Sequence, residues 1–307
     1  MSTTALLLVL AAAVCHAGWN VVAHGVSRLG TPFLWWGAVA STVLWLPVVP
    51  FTGGLGASVG GLAVGAGVSA VLHVVYMTVL QRGYAVGTLS TVYATARGSG
   101  PAVSAGLAVL LLGEQLSVTA VVGIAVVVAG VVATGLIDRR PTGSPAPRLL
   151  HGSPTASSPS VPGRRRRRLD PGIAWGLLTG LAIASYTIWD AHALRTWDLS
   201  PVSFMVGVTL VEVVFYSATL GRRRGELVAV ARAHWPRVLA FGVLSPLSYI
   251  LVLTAIRTAP VALVAPARET SVVMVAVFGA LVLREGSLAK RLAASAVVLG
   301  GIALLAL

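Results

Sequence analysis

Charged residues, and acidic residues above all, are scarce in this sequence. Only 10% of its 307 residues are charged, with 22 basic against 9 acidic side chains, whereas 56% are hydrophobic and the mean hydropathy is +0.89. Soluble domains carry about 25% charged residues, so this composition excludes an ordinary soluble protein. The net charge of +13 is spread over segments between apolar runs, as in membrane topology signals. We therefore expect no nucleic-acid partner.

Cysteine and catalytic motifs are nearly absent as well. Cys15 is the single cysteine, so no intrachain disulfide can form and no cysteine-based metal site is expected. The histidines are scattered, no HExxH motif occurs, and no GxxxxGK[ST] loop is present to bind nucleotide phosphates. A membrane-embedded enzyme is therefore the weaker alternative, and we expect no metal and no other cofactor.

A positive n-region is missing before the first apolar run. Residues 1–18 have the length of a signal peptide, but no lysine or arginine precedes the run. The pattern favours a retained first helix.

Apolar runs of about 20 residues, each long enough to cross a ~30 Å hydrocarbon core, follow one another along nearly the whole chain. The sequence predicts an all-α membrane protein, and its 34 glycines suit close helix packing in lipid. The ten predicted transmembrane helices span residues 4–25, 33–51, 56–80, 88–112, 117–137, 171–193, 201–220, 237–256, 260–283 and 288–306.

A segment rich in Pro, Ser and Arg, residues 138–170, separates two similar halves. Its composition predicts a disordered linker between a first five-helix repeat, 1–137, and a second, 171–307. Three pairs lie 171 positions apart, and HAGWN near the first helix parallels YTIWD at an offset of 170. The three pairs are Arg97 and Arg268, Glu114 and Glu285, and Gly130 and Gly301.

Five helices are an odd number, so the two copies must enter the membrane from opposite sides. The sequence therefore predicts two inverted five-helix repeats, a plan common in secondary transporters, with the site near the midplane between the repeats. In this topology 18 basic residues, including Arg164 to Arg168, lie on the linker side and only Arg195 and Arg257 on the other. The bias predicts a cytoplasmic linker in a multi-pass cell-membrane protein. The five-arginine run is a topology anchor that is also compatible with binding anionic lipid.

Each half carries one arginine inside an apolar run, Arg97 in ATARGSGP and Arg268 in APARETSV. Each lies roughly 12–14 Å into its helix, near the midplane. An arginine there costs about 2.5–3.5 kcal/mol on insertion scales, and its fixed donors suit a carboxylate or phosphonate. We expect at least one of them to bind substrate, and Gly98, Gly100 and Pro101 to loosen the helix of Arg97.

The competing interpretation is internal pairing, in which Glu212, Asp190 or Glu269 neutralises Arg268. Adjacent residues point apart on a helix, so Glu269 is better placed to serve Arg97. Since Gly98 and Glu269 follow the two arginines, the pair is electrostatically unequal, and Arg97 is the first to test.

Other polar residues in the apolar runs are candidates for the same site. Intramembrane acids often relay protons, so Asp190, Glu212 and Glu269 are candidates for proton coupling. Salt-bridge formation is the alternative for Glu212, and a place near the membrane interface is the alternative for Asp190. The candidates for lining the substrate site are His16, Trp19, Asn20, Tyr76, Tyr93 and Tyr249. Interhelical hydrogen bonding is the alternative for His16. The same alternative applies to Tyr76 and to His73, which lies three residues before it.

The paired segments LAVLLLGEQLSVTAVVGIAVVVAG and FGALVLREGSLAKRLAASAVVLGG resemble the drug/metabolite transporter superfamily and, within it, the EamA family. The shared pattern is an apolar fourth helix ending in Gly-Glu, followed by a glycine-rich fifth helix; Arg284 replaces the glycine in the second copy. The phrase QRGYAVGTLSTVYATARGSGP also resembles an EamA branch linked to phosphonate use. The resemblance implies a ten-helix carrier with alternating access and no ATPase domain.

Together these observations predict a secondary transporter, most consistent with export of a small anionic or zwitterionic metabolite that is amino-acid-like or phosphonate-like. A multidrug or cation exporter of the same superfamily is the alternative. Relatives of that kind carry a buried glutamate in the first helix, where this chain has His16 and Asn20.

Overall fold

The computed structural model describes residues 1–24, 26, 29–87, 89–137, 171–281 and 288–306, and the described part is built from helices. The predicted linker, with Arg164 to Arg168, lies outside the described residues, as do Arg284 and Glu285. The α-helices are α1 (Thr3–His24), α2 (Thr31–Trp45), α3 (Val59–Val86), α4 (Leu89–Leu112), α5 (Val118–Ile137), α6 (Pro171–Thr196), α7 (Pro201–Thr219), α8 (Leu227–Thr258), α9 (Val261–Ala267), α10 (Thr270–Leu281) and α11 (Leu288–Ala306). Short 3-10 helices cover Leu46–Thr52 and Gly221–Glu226.

The sequence marks several of these helix starts. Proline occupies the first turn of α2 and α7, where its missing N–H costs no intrahelical bond. Ser58 caps α3 by accepting a hydrogen bond from Gly61 N at 2.9 Å. Six helical segments in the described part are long and apolar enough to cross a membrane, and two shorter ones are apolar as well. The chain is a multi-pass helical membrane protein.

Several predicted helices differ from the observed ones, the eighth and the sixth among them. The eighth helix begins at Leu227 rather than at 237, and it bends at His234, where φ is −130°. Pro236, two residues later, has no N–H to donate to the helical hydrogen-bond ladder. The sixth continues to Thr196 rather than 193, which places Asp190 further from the helix end than expected.

The predicted ninth helix, 260–283, is interrupted at Arg268 and Glu269, and the break divides it into α9 and α10. Pro266 lacks an N–H and removes one bond of the helical ladder. Beyond it, Glu269 N donates to Pro266 O at 3.0 Å and Val272 N donates to Glu269 O at 2.9 Å, both tight three-residue bonds. The expected loosening of α4 does not occur, since α4 runs unbroken through Pro101.

Helices of one half pack mainly against helices of the other. α4 lies along α6, α1 along α8, α2 along α7 and α5 along α11. Small residues allow these approaches: a Cβ on Gly301 would lie 2.7 Å from Val127 N, and one on Gly130 would lie 2.6 Å from Val298 Cγ2. The repeated glycines Gly130 and Gly301 thus both lie in the α5–α11 contact.

Ion pairs lie at two ends of the helix bundle. At one end Arg195 binds Glu114 at 3.0 Å and Arg257 pairs with Asp198. At the other end Arg223 binds Glu226 at 2.7 Å and donates to Leu29 O at 3.0 Å. We refer to the first as the Glu114 end and to the second as the Arg223 end.

Candidate functional site

Arg97 in α4 has protein partners on several sides. Its Nη1 lies 3.4 Å from Glu269 Oε1 and its Nη2 lies 3.0 Å from His16 Nε2. The guanidinium also lies over the ring of Tyr93, 5.5 Å from the centroid, a favourable cation–π distance. The Arg97 side chain is 13% exposed. The protein itself therefore provides the counter-charge for Arg97.

Arg268 is buried, with only 6% of its surface exposed, and its environment is different. Within the described part of the chain it forms no ion pair, its side chain forms no hydrogen bond, and its Nε is a buried donor without an acceptor. A guanidinium carries five N–H donors, and leaving buried donors of a charged group unpaired is costly. Arg268 is thus a permanent cation with its donors available to a ligand.

One residue accounts for much of this inequality. Glu269 follows Arg268, whereas Gly98 follows Arg97. Because adjacent side chains diverge, the Glu269 carboxylate reaches Arg97 in the other half of the chain. Its side chain is 1% exposed, and its second oxygen, Oε2, has no hydrogen-bond partner. A single acid therefore forms an ion pair with the arginine of the other half and not with its own neighbour, on which it acts only through space.

A cluster of rings lies between α3, α6 and α8. His73 stacks on Tyr186 with centroids 4.2 Å apart, and Tyr186 packs against Tyr76 at 5.7 Å and Tyr249 at 6.1 Å. His73 Nδ1 lies 2.9 Å from Ser69 O, the carbonyl one turn earlier. We call these packed rings the aromatic wall.

Asp190 joins this wall to α6. Tyr249 donates its hydroxyl proton to Asp190 Oδ2, whereas Oδ1 is buried without a partner. Asp190 is completely buried among the helices. No arginine among the described residues pairs with it.

The arginines and the aromatic wall form one buried cluster of charged and aromatic side chains, which we call the chamber. Arg268 interacts electrostatically with Tyr186, Tyr249 and Arg97, and both arginines act on His16 and Tyr76. The chamber therefore contains two guanidinium groups, two carboxyl groups and several tyrosine hydroxyls, away from bulk water. Such a set can hold a small polar molecule by charge and by ring contacts, as ligand pockets do.

Other sequence candidates lie at the edge of the chamber or apart from it. Trp19 packs edge-on against His16 at 4.8 Å, whereas Asn20 Nδ2 donates to His16 O of its own helix at 2.6 Å. Glu212 lies between α3 and α7 beside Val74 and Phe215. No salt bridge to Glu212 forms in the described part, so the expected arginine partner is absent there.

Sequence reasoning missed Tyr186 as a site residue. The signal was present, because Tyr186 stands 170 positions after His16, the residue that contacts Arg97. Among the described residues no group of three or more His, Cys, Asp or Glu side chains is arranged to hold a metal ion.

A helical membrane protein whose buried charges face one another in a chamber has the construction of a membrane carrier. Residues 170–307 match the model of the EamA-like transporter family. The resemblance read from the sequence is thereby confirmed for this half of the chain.

One solved structure matches nearly the whole length of the chain. Among 28 matching chains, one crystal structure of a protein superposes with a TM-score of 0.71 at 16% identity, covering 99% of this chain and 96% of that one. At this identity the likeness shows a shared fold. The search of curated proteins finds no match.

Proposed function

We propose that this protein is a secondary-active carrier for a small anionic or zwitterionic metabolite, bound in the chamber by Arg268. The observation that carries the proposal is the buried Arg268 guanidinium without a partner among the described residues. A bound carboxylate, phosphonate or phosphate would supply the missing acceptors through bidentate, charge-assisted hydrogen bonds. Arg97, already paired with Glu269, would contribute long-range attraction.

Two further features support a zwitterion rather than a simple anion. Asp190 Oδ1 is a buried acceptor without a partner, and an ammonium group would satisfy it. Tyr186 and Tyr249 beside Asp190 would add contacts between the cation and their ring faces. The same features favour a multidrug or cation exporter as the second candidate, and such a substrate would not need Arg268.

The packing of the helices supports inverted repeats and alternating access. The contact of α3 with α7 has its counterpart in that of α8 with α2, and the contact of α3 with α6 has its counterpart in that of α8 with α1. In this interpretation residues 1–137 and 171–307 are the two repeats, and α9 with α10 is the equivalent of α4. Rocking of the repeats around the chamber would expose the substrate to each side in turn.

Asp190, Glu212 and Glu269 are the candidates for coupling transport to a proton gradient, with Asp190 foremost because it lies in the chamber and has no arginine partner among the described residues. Burial disfavours the charged form of a carboxyl group. Protonation of Asp190 would therefore compete with binding of a substrate ammonium, which is the arrangement that an exporter driven by proton entry requires.

The basic residues support an orientation with the Arg223 end in the cytoplasm of a cell. A single cysteine introduced within residues 145–160 of a Cys15→Ser protein should resist a membrane-impermeant maleimide added to intact cells. Labelling from outside would contradict this orientation.

The substrate proposal is tested by thermal-shift screening of the purified protein. The panel contains an amino acid, an alkylphosphonate, a sugar phosphate and a hydrophobic cation, followed by proteoliposome transport of each compound that stabilises the protein. We expect an anionic or zwitterionic compound to stabilise the wild-type protein and to be transported. Stabilisation by the cation alone would favour the multidrug candidate instead.

A further inference from the structure

Glu114, two residues after the end of α4, accepts three hydrogen bonds from the second half of the chain. Its Oε1 accepts from Arg195 Nη1 at 3.0 Å and from Val261 N at 2.8 Å, and its Oε2 accepts from Ala262 N at 2.9 Å. The two backbone donors are the first N–H groups of α9, which have no partner inside that helix. One carboxylate thus accepts hydrogen bonds from two N–H groups that α9 cannot pair internally and from a side chain of α6.

Arg195 extends this arrangement to a further helix end. Its Nε and Nη2 donate to Ile256 O at 3.1 and 2.8 Å, and Nη2 also donates to Ala259 O at 2.9 Å. These carbonyls belong to the C-terminal turn of α8, where acceptors are left over. The Glu114–Arg195 clamp, as we call these two side chains, therefore joins the ends of α4, α6 and α8 to the start of α9.

The clamp joins the two halves of the chain through breakable contacts. Glu114 belongs to the first half, and its partners Arg195, Val261 and Ala262 belong to the second. Arg195 is 32% exposed, whereas Glu114 is 7% exposed. Water can therefore replace the bonds of Arg195 when the helix ends separate, at a lower cost than for a fully buried pair.

The clamp also acts on the helix that carries the proposed anion-binding residue. Glu114 holds the N-terminus of α9, and Arg268 directly follows the C-terminus of the same seven-residue helix. The two ends lie about 10 Å apart at 1.5 Å per residue. A shift of the α9 start would therefore be passed to Arg268, because the break after it leaves α9 separate from α10.

We propose that the Glu114–Arg195 clamp is the gate of the carrier at the Glu114 end: it holds this end closed, and its release opens the chamber. The inference rests on the proposed carrier function for its purpose, but the opening itself can be measured without a substrate. In this arrangement Glu114 is a positioning residue and touches no substrate.

The test uses one reporter cysteine in the full-length protein. Ser104 lies seven residues after Arg97, two turns along the same face of α4 toward the clamp, and it is buried with an unpartnered hydroxyl. In a Cys15→Ser, Ser104→Cys background, a membrane-impermeant maleimide reports opening from the side of the Glu114 end. The reagent is applied to that side in oriented membranes.

We expect Glu114→Gln to raise the labelling rate about tenfold or more, since the amide loses the charge and keeps only one of the two acceptor oxygens. The matched control is Glu226→Gln, which breaks the Arg223 pair at the other end and should leave the rate unchanged. An unchanged rate in Glu114→Gln, or the same increase in the control, would overturn the gate.

A second variant keeps the proposal testable if Glu114→Gln does not accumulate in the membrane. Arg195→Gln retains the cap on α9 and removes the bonds to α8, so a smaller increase of about threefold is expected, and no increase would contradict the proposal. Faster labelling in a protein that transports no panel compound would support the gate and reject the proposed substrate class. Normal transport of a panel compound together with unchanged labelling in both gate variants would support the proposed substrate class and reject the gate.

Discussion

Arg97 and Arg268 lie 171 positions apart, one in each half of the chain, yet only Arg97 forms an ion pair among the described residues. Arg97 contacts Glu269 and His16, whereas Arg268 is more deeply buried and its Nε lacks an acceptor. A buried charge that loses its partner destabilises a protein by about 3–5 kcal/mol. The two cations are thus unequal, and the acid that follows Arg268 pairs with Arg97.

The helices that carry the two arginines differ in the same way. α4 continues through Arg97 to Leu112, whereas α9 ends just before Arg268. Carriers place substrates at interrupted helices because freed backbone groups and movable segments occur there. The expectation that Arg97 should be tested first thus changes: the charge and the backbone both favour Arg268 as the binding residue.

The largest expected effect is on Arg268. Arg268→Gln should weaken binding of the stabilising panel compound at least tenfold, because hydrogen bonds to a charged group contribute roughly 1.5–3 kcal/mol. Affinity is measured by titrated thermal shift. Arg257→Gln is the control, since Arg257 pairs with the exposed Asp198 at the surface and should matter little. Equal losses in the two variants would remove the special role of Arg268.

The next effect concerns stability. Glu269→Gln should lower the Tm markedly, because it leaves Arg97 as an uncompensated buried charge. The double variant Arg97→Gln, Glu269→Gln should recover most of the loss, as expected for directly coupled residues. Two independent losses that simply add would show that the 3.4 Å contact contributes little to the folded state.

A third effect tests another difference between the halves. Asp190 and Asn20 stand 170 positions apart, so Asp190→Asn makes the second half resemble the first. We expect wild-type transport to stop when a protonophore is added, and the variant to show substrate exchange that ignores the protonophore. If the wild-type protein does not respond to the protonophore, Asp190 is not a coupling group.

The smallest effect is expected at Arg97. Arg97→Lys keeps the charge beside Glu269 but loses the planar fork that also reaches His16. Transport should fall by no more than about threefold, as for a modest loss of one partly exposed contact. A loss as large as that of Arg268→Lys would place the substrate between both arginines.

Much of this organisation is readable from sequence because it depends on local composition. Apolar runs predict helices within a few residues, and the offset of 171 predicts which arginines correspond. The Glu269 pairing with Arg97 follows from adjacent side chains pointing apart. The sequence alignment of His16 with Tyr186 also indicates where the aromatic wall lies.

Other features depend on packing that no local pattern encodes. Pro101 and Pro266 are both helix prolines, yet only the second is followed by a break, because neighbouring contacts decide whether a freed carbonyl is tolerated. Asp190 is buried by the approach of α3 and α8, and the Glu114–Arg195 clamp joins residues 81 positions apart.

The most direct test compares the two arginines in one assay. The panel compound that stabilises the wild-type protein is titrated against Arg268→Gln and against the double variant Arg97→Gln, Glu269→Gln, in which no buried acid is left unpaired by the loss of Arg97. We predict that the thermal shift persists in the double variant and disappears in Arg268→Gln. Loss of the shift in the double variant with retention in Arg268→Gln would contradict the central claim that Arg268 binds the substrate anion.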